Sequence, residues 1–546
     1  MSQPPHTVIT GARIWTGEPA GSPPAEAVAL LGDRIVAVGG QDEVLALAGP
    51  ETQRLDLPGR MVVPGFQDAH VHPPTAGRYR MSLALHELEG VEAYLEAIAA
   101  YAAAHPELPW IYGAGWAPET FGATSPAREL LDRILPDRPV FIFDSSIHSA
   151  WVNSRALELA GVDAGTPDPK DGRYRRDPVT GEPTGLLDEG TAYSFETRYL
   201  PQPQRAEWQA AILNAQDYLH SLGITGWQDA WVTPETLDAY TGLADDGRLT
   251  ARVVAALWWQ RELGLEQIAG FEAQRAASAR NGLLVRTVKI MTDGVVENGT
   301  GALLTPYCDG CGGHTGDRGL AYLDPEQLAA AVTELDRLDF QVHLHTIGDR
   351  AVRTGLDAIE AAIRANGRRD NRHHLAHIQL IQPEDVPRFA ALDAIANCQA
   401  YWAQSEPMMD DLTIPVLGPD RARLQYPFAD LVASGARLAM GSDWSVSTPD
   451  PLPQLEVATT RVNPEQRTNS PFLPDQRISL DTALRAFTAG SAYVNHDPDG
   501  GLIRAGNRAD LAVLDRDLFA ELPDGGGIAD ARVEYTFASG RIVHAR

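Results

Sequence analysis

Hydrophobic positions along this chain follow two rhythms, and the switch between them divides it. Over residues 1–60 the apolar runs are short: Thr7–Trp15, Ala27–Leu31, Arg34–Val38 and Gln53–Leu57, punctuated by Gly-Asp and Gly-Gly. That spacing predicts antiparallel strands. The same texture returns over residues 500–546, in Asp510–Asp515, Val533–Ala538 and, after Ser539-Gly540, Arg541–His544. Two strand-rich ends around a long middle predict one small β-domain, residues 1–60 plus 500–546.

The middle alternates strands and helices. Its strand candidates are Val62–Ala69, Gly223–Ala230, Arg252–Trp258, Arg286–Asp293, Phe340–Thr346, His373–Gln379, Ala394–Cys398 and Arg437–Asp443. Eight is the number that an α/β fold of the (β/α)8 TIM-barrel type requires. Helix signals fall between them. Asp324-Pro325-Glu326-Gln327 offers an N-cap, a proline at the first helical position and a capping-box glutamine; Leu328, Val332, Leu335 and Leu338 then make one stripe. The next helix carries Val352, Leu356, Ile359 and Ile363 and stops at Asn366-Gly367. Between the first two strands, Pro73 to Leu222 is far too long for a crossover. Helix patterns at Val91–Ala104 and Ala206–Leu219 and a strand-like Pro139–Phe143 predict an inserted α/β domain over 73–200, covering the active site. The barrel then takes residues 61–72 plus 201–499.

Composition narrows the function. The 546 residues carry 45 Lys and Arg against 73 Asp and Glu, a net charge of −28. So acidic a surface repels phosphate backbones and anionic lipid, which argues against nucleic-acid and membrane partners. Three cysteines make no disulfide framework and fit a reducing, cytoplasmic compartment. The first residues lack a basic segment followed by an apolar one, so no signal peptide is expected. No apolar run approaches the roughly 18 residues of a membrane span. A small-molecule substrate is the expected partner, and a homodimer the commonest assembly.

Candidate chemistry sits at strand ends. Met61–His72 reads MVVPGFQDAHVH, an apolar run leading into His70 and His72. Residues i and i+2 of a strand project to one side, so both imidazoles can reach one ion. Lys289 lies within the fourth strand, His345 ends the fifth, His377 the sixth and Asp443 the eighth. Active sites of such barrels form at the C-terminal ends of the strands, so these residues converge. Imidazole and carboxylate are the ligands Zn²⁺ takes while keeping a position open for water. Each residue alone has an ordinary explanation as a satisfied polar group. Six in register on five strands are hard to obtain by accident.

These motifs resemble the amidohydrolase superfamily. PGFQDAHVH, the strand-four lysine, the two later histidines and GSDW carry the likeness. More narrowly, GAGWAPETFG (113–122), DSSIHSAWVNSRAL (144–157), EPTGLLDE (182–189), GITGWQDA (223–230), VKIMTDG (288–294) and HTIGDRAV (345–352) are similar to a branch that includes N-substituted formamide deformylases. The resemblance implies a small β-sandwich from both ends beside the barrel, and two metal ions. It implies that His70, His72 and Asp443 hold the first and His345 and His377 the second, with Lys289 bridging as a carboxylated lysine. The implied reaction is hydrolysis of a carbon–nitrogen bond by a metal-activated hydroxide, with Asp443 as general base and then acid. After the strand-four Asp-Gly, Val295–Thr300 (VVENGT) departs from the serine-rich stretch common in relatives, so the substrate stays open.

Further residues are assigned more loosely. His148 matches a GHS-type family position and is expected to contact substrate or the developing oxyanion, or to be structural. Asp229 and Asp293, at strand ends, are expected to reach substrate, orient ligands or cap loops. Trp116, Trp402 and Trp444 are expected to wall an apolar pocket or pack in the core, and Glu297 to read a polar substrate group or be solvated. Cys308, Cys311 and His314 share a Gly-rich loop with no fourth zinc ligand at motif spacing, so an ordinary loop is expected. No Walker loop, GxSxG elbow or Rossmann fingerprint is found. The rival readings are a lactonase or other esterase, a deaminase on the same site, or a metal-free, non-catalytic barrel.

Overall fold

Eight parallel strands, β1 (Phe66–Val71), β2 (Ile224–Val232), β3 (Arg252–Trp258), β4 (Leu283–Met291), β5 (Gln341–Thr346), β6 (His374–His377), β7 (Ile395–Cys398) and β8 (Arg437–Met440), follow one another in space in chain order. The computed structural model describes residues 3–19, 25–86, 88–121, 126–280, 282–310, 313–520 and 526–546. Beyond the ends of β8 and β1, the ring is joined by backbone hydrogen bonds from Asp443 N to His70 O (2.8 Å) and from His72 N to Trp444 O (2.9 Å). The fold is the expected TIM barrel. Helices Pro325–Arg337 and Asp349–Asn366 bury Leu328, Val332 and Leu335, and Val352, Leu356 and Ile359, as their stripes require. Asp324 is the N-cap residue of the former but makes no side-chain capping bond.

The barrel interior departs from the usual apolar filling. Gln228 on β2 bonds Gln341 (3.1 Å) and His343 (2.8 Å) on β5 and His374 (2.9 Å) on β6. Those strands are not neighbours of β2, so the bonds cross the lumen. Asn397 on β7 extends the network to His374 (3.1 Å) and to the Ala69 carbonyl (2.9 Å). Buried polar groups cost little when each has a partner.

Two further sheets come from the chain's two ends. One orders Arg34–Gly39, Ala27–Leu31, Thr7–Thr10 and Gln53–Asp56; the other orders Arg13–Ile14, Met61–Pro64, Leu511–Leu514, Val533–Ala538 and Arg541–Ala545. They share a core of Ile9, Val28, Leu30 and Ile35 against Val62, Leu511, Val513 and Phe537, which makes a sandwich. The single strand expected at Val62–Ala69 is therefore two. Met61–Pro64 pairs with Leu511–Leu514, and only Phe66–Val71 enters the barrel.

Between β1 and β2 stands a third sheet, ordered Gly172–Arg176, Pro183–Glu189, Ser149–Val152, Val140–Asp144, Ile111–Trp116 and Leu83–Ala84. Helix Val91–Ala104 packs Tyr94, Leu95 and Ile98 on one face, and Phe141, Phe143, Leu187 and Phe195 fill the other. Helix Pro73–Arg80, placed in the insert from sequence, packs on the barrel helix Arg205–Ser221; a Cβ at Gly77 would overlap the Ala211 carbonyl.

Candidate metal centre

His70, His72 and Asp443 bring one ligand atom each to within 4.8 Å of one another. His72 Nε2 and His70 Nε2 lie 2.9 Å and 3.2 Å from Asp443 Oδ1. His377 Nδ1 stands 3.9 Å from Asp443 Oδ2, and its ring centroid lies 4.6 Å from those of both His70 and His345. Lys289 lines the same cavity from β4 and is almost wholly buried. All six sequence-derived ligand candidates thus meet at one end of the barrel.

The donor set fits a metal. His377 Nδ1 and His72 Nδ1 are buried without hydrogen-bond partners among the described residues. His70 has Nδ1 committed to His343 Nε2 (2.8 Å), which leaves Nε2 toward Asp443. Burial first, then neighbouring cations, holds His70, His345 and His377 well below the ordinary histidine range, so they present lone pairs. Burial raises the Asp443 carboxyl, but the His72 bond and the surrounding bases win and hold it below the usual value. Burial brings the Lys289 amine down to about 7, against the pull of Asp443. A neutral amine is the form that can add CO2.

Outer groups fix these rings. Asp293 accepts from His345 Nδ1 (3.0 Å) and from the backbone of Ala302 (2.9 Å), Ile347 (3.1 Å) and Gly348 (2.8 Å). Asp68 accepts from His70 N (2.9 Å) and Ser442 N (3.1 Å), tying β1 to the loop after β8. His377 and Asp443 adopt left-handed backbone, φ 76° and 56°, which non-glycine residues seldom do. Such strain concentrates at functional sites.

The cavity above the cluster has a volume of about 410 Å³. Trp116, Trp402, Glu297 and His148 line it, with Tyr193, Trp231 and Trp258 as further aromatic walls. Trp402 stacks flat on His377 (5.2 Å, 5°) and Trp231 on Trp258 (4.9 Å). Three expected substrate contacts do not face it. Trp444 turns away and packs on Tyr218 (5.3 Å), Asp229 accepts from Tyr240 Oη (3.0 Å) and Trp231 N (3.0 Å), and Asp293 stands behind His345. Cys308 is a free thiol accepting from Arg421 Nη2 (3.3 Å); Cys311 lies outside the described residues.

His148 reaches the cavity from the insert. Its Nδ1 meets Glu189 Oε2 at 2.9 Å, and its carbonyl accepts from Glu189 N (2.7 Å). Thr300 Oγ1 (2.8 Å) and Tyr322 Oη (3.2 Å) donate to the same carboxylate. Burial alone lowers a histidine pKa; the Glu189 carboxylate overrides it and carries His148 up to about 9. Sequence reasoning passed over Glu189, although it closes the EPTGLLDE motif, and over His343, which forms a second His-x-His with His345.

A family description fits residues 53–544: amidohydrolase family. The chain belongs to that family. It is thereby an amidohydrolase, an enzyme of the class acting on carbon–nitrogen bonds other than peptide bonds. Two relatives by sequence span nearly its whole length. Protein LONG AFTER FAR-RED 3 of Arabidopsis thaliana is 29% identical over 526 residues, covering 93% of this chain and 86% of the relative. N-substituted formamide deformylase of Arthrobacter pascens is 28% identical over 532 residues, covering 95% and 94%. Among solved structures, a metal-dependent hydrolase from Pyrococcus horikoshii OT3 is 23% identical with a TM-score of 0.73, covering 98% of this amidohydrolase and 100% of that chain. The last likeness is one of fold. No helix among the described residues is long and apolar enough to cross a membrane.

Proposed function

We propose that this amidohydrolase uses zinc to hydrolyse a non-peptide amide, N-formyl or cyclic amide bond of a small-molecule substrate. One observation carries the reading: His70, His72 and Asp443 converge within 4.8 Å, with His345, His377 and Lys289 beside them under an aromatic cavity. In this reading His70, His72 and Asp443 would hold one ion and His345 and His377 a second, with a carboxylated Lys289 as a further ligand. When bound, the metal supplies hydroxide near neutral pH and polarises the scissile carbonyl.

The chain's own groups do the rest. Asp443, an ionised carboxylate, takes the proton of the attacking water and returns it to the leaving nitrogen. His148, with Nδ1 committed to Glu189, turns Nε2–H toward the carbonyl oxygen as charge develops there. Asp293 and His343 keep the His345 and His70 rings in place. Trp116, Trp231 and Trp402 limit water around the reacting carbonyl.

Elemental analysis of protein purified without added metal or chelator tests this directly. About two equivalents of zinc per chain are expected for the binuclear arrangement. About one equivalent refutes the Lys289 bridge. No metal, with none restored by zinc and bicarbonate, refutes the hydrolytic reading. So does the metal-loaded enzyme releasing no amine from any N-formyl, N-acyl or cyclic amide tried.

A further inference from the structure

Three carboxylates line the cavity without an ion-pair partner among the described residues. Glu119 comes from the insert, on the short helix Pro118–Phe121. Glu297 follows β4, and Glu406 precedes the π-helical segment Met408–Thr413, which packs against Pro118–Phe121. All three line the cavity. Among the described residues Glu119 Oε2 is buried without a hydrogen-bond partner and Glu297 accepts only from the Thr413 hydroxyl. The one arginine lining the cavity, Arg175, is committed to Asp188.

A second observation is independent of the acids. Tyr426 lines the same cavity, is 2% exposed, and has no hydrogen-bond partner for its hydroxyl among the described residues. A hydroxyl facing a cavity with no protein partner is free to bond an occupant. Burial first, and then Glu119 and Glu297, pushes the Glu406 carboxyl up to about 8, so the three glutamates feel one another's charge.

Among the described residues, only His70, His72 and Asp443 bring three ligand atoms close enough for one metal ion. The glutamates are spread too widely for an inorganic cation and suit a larger organic one. Aromatic neighbours point the same way. Tyr401, Trp402 and Tyr426 line the cavity with them, and ring faces attract ammonium and guanidinium groups. Because Trp402 stacks on His377, the segment that carries Glu406 begins at the metal cluster.

We infer that the substrate carries a cationic nitrogen, an ammonium or guanidinium, separate from its scissile amide and seated among Glu119, Glu297, Glu406 and Tyr426. The inference rests on the hydrolase reading only for the bond that is cut. Calorimetry with two matched probes, 4-phenylbutylammonium and 4-phenylbutan-1-ol, tests the cation site without turnover. The ammonium should bind about tenfold more tightly than the alcohol. That ratio should fall toward one in Glu297→Gln/Glu406→Gln and persist in the charge-keeping Glu406→Asp, with circular dichroism showing both variants folded. Equal affinities for the two probes in the wild type, or a preference surviving in the double glutamine variant, overturns the inference.

Turnover separates the two claims. N-formyl-1,5-diaminopentane should exceed N-formylpentylamine in kcat/KM by a similar factor. Equal kcat/KM values refute the cation site and leave the hydrolase. A preference for the ammonium probe with no amide cleaved refutes the hydrolase and leaves the cation site.

Discussion

Glu189→Gln keeps the shape of the His148 clasp and removes its charge. Thr300 and Tyr322 can still bond the amide, so the pocket stays filled. The proton on His148 loses its main support. Glu189 carries the His148 pKa up to about 9, against about 6.5 for an ordinary histidine. The difference is worth about 3 kcal/mol in favour of the imidazolium. The value is raised in the folded state, so the stabilisation is fully present below pH 6.5 and is lost as pH rises through about 9. In the variant, only Asp144 and Asp443 still oppose burial, and the value falls toward the ordinary histidine range. About one molecule in ten then holds the proton at pH 7.5, and about one in a hundred at pH 8.5. If the imidazolium steadies the oxyanion, kcat/KM falls about tenfold at pH 7.5 and about a hundredfold at pH 8.5, and recovers toward acid pH. Two measurements check this: the pH profile of kcat/KM, and titration of the His148 ring by NMR in metal-free protein, where no ion shifts it. An unchanged alkaline limb together with an unchanged His148 titration would refute the reasoning.

Two other perturbations probe the centre. Asp443→Asn should cut kcat by about 10²- to 10⁴-fold while zinc content, measured by elemental analysis, is retained; comparable turnover would remove Asp443 from its proton-transfer role. Gly441→Ala places a Cβ 2.6 Å from His70 N and 2.7 Å from His70 Cβ, so β1 must shift. A loss of about 1–3 kcal/mol and weaker zinc binding are expected, both read from thermal unfolding with and without zinc; an unaltered curve would show that β1 yields freely.

The barrel and its ligands were legible because one periodicity governs both. Apolar residues run through each of β1 to β8, and the residues that end those strands must share a rim, so the sequence alone places His70, His345, His377 and Asp443 together. Local reversals were not legible. Trp444 follows Asp443 directly, yet the left-handed turn at Asp443 sends its ring to Tyr218 instead of the cavity. Glu189 and Glu406 were missed for a different reason. Their place in the cavity depends on how the insert and the segment after β7 lie over the barrel, which no periodicity within either segment encodes. The polar lumen was hidden because Gln228, Gln341 and His374 satisfy one another only across strands far apart in sequence.

The short strand Met61–Pro64 sits five residues ahead of His70, and its partner is Leu511–Leu514. Gln67, on β1 itself, is held by Asp497, 430 residues away along the chain. A ribosome adding about 5–20 residues per second needs roughly 20 to 90 seconds to cover that distance. Throughout that interval the first two histidines have been synthesised while the strand bearing them can pair on the β2 side but still lacks β8 and Leu511–Leu514. The centre therefore cannot close until Asp443 has emerged, and zinc captured earlier by His70 and His72 alone would be held by a strand paired on one side only.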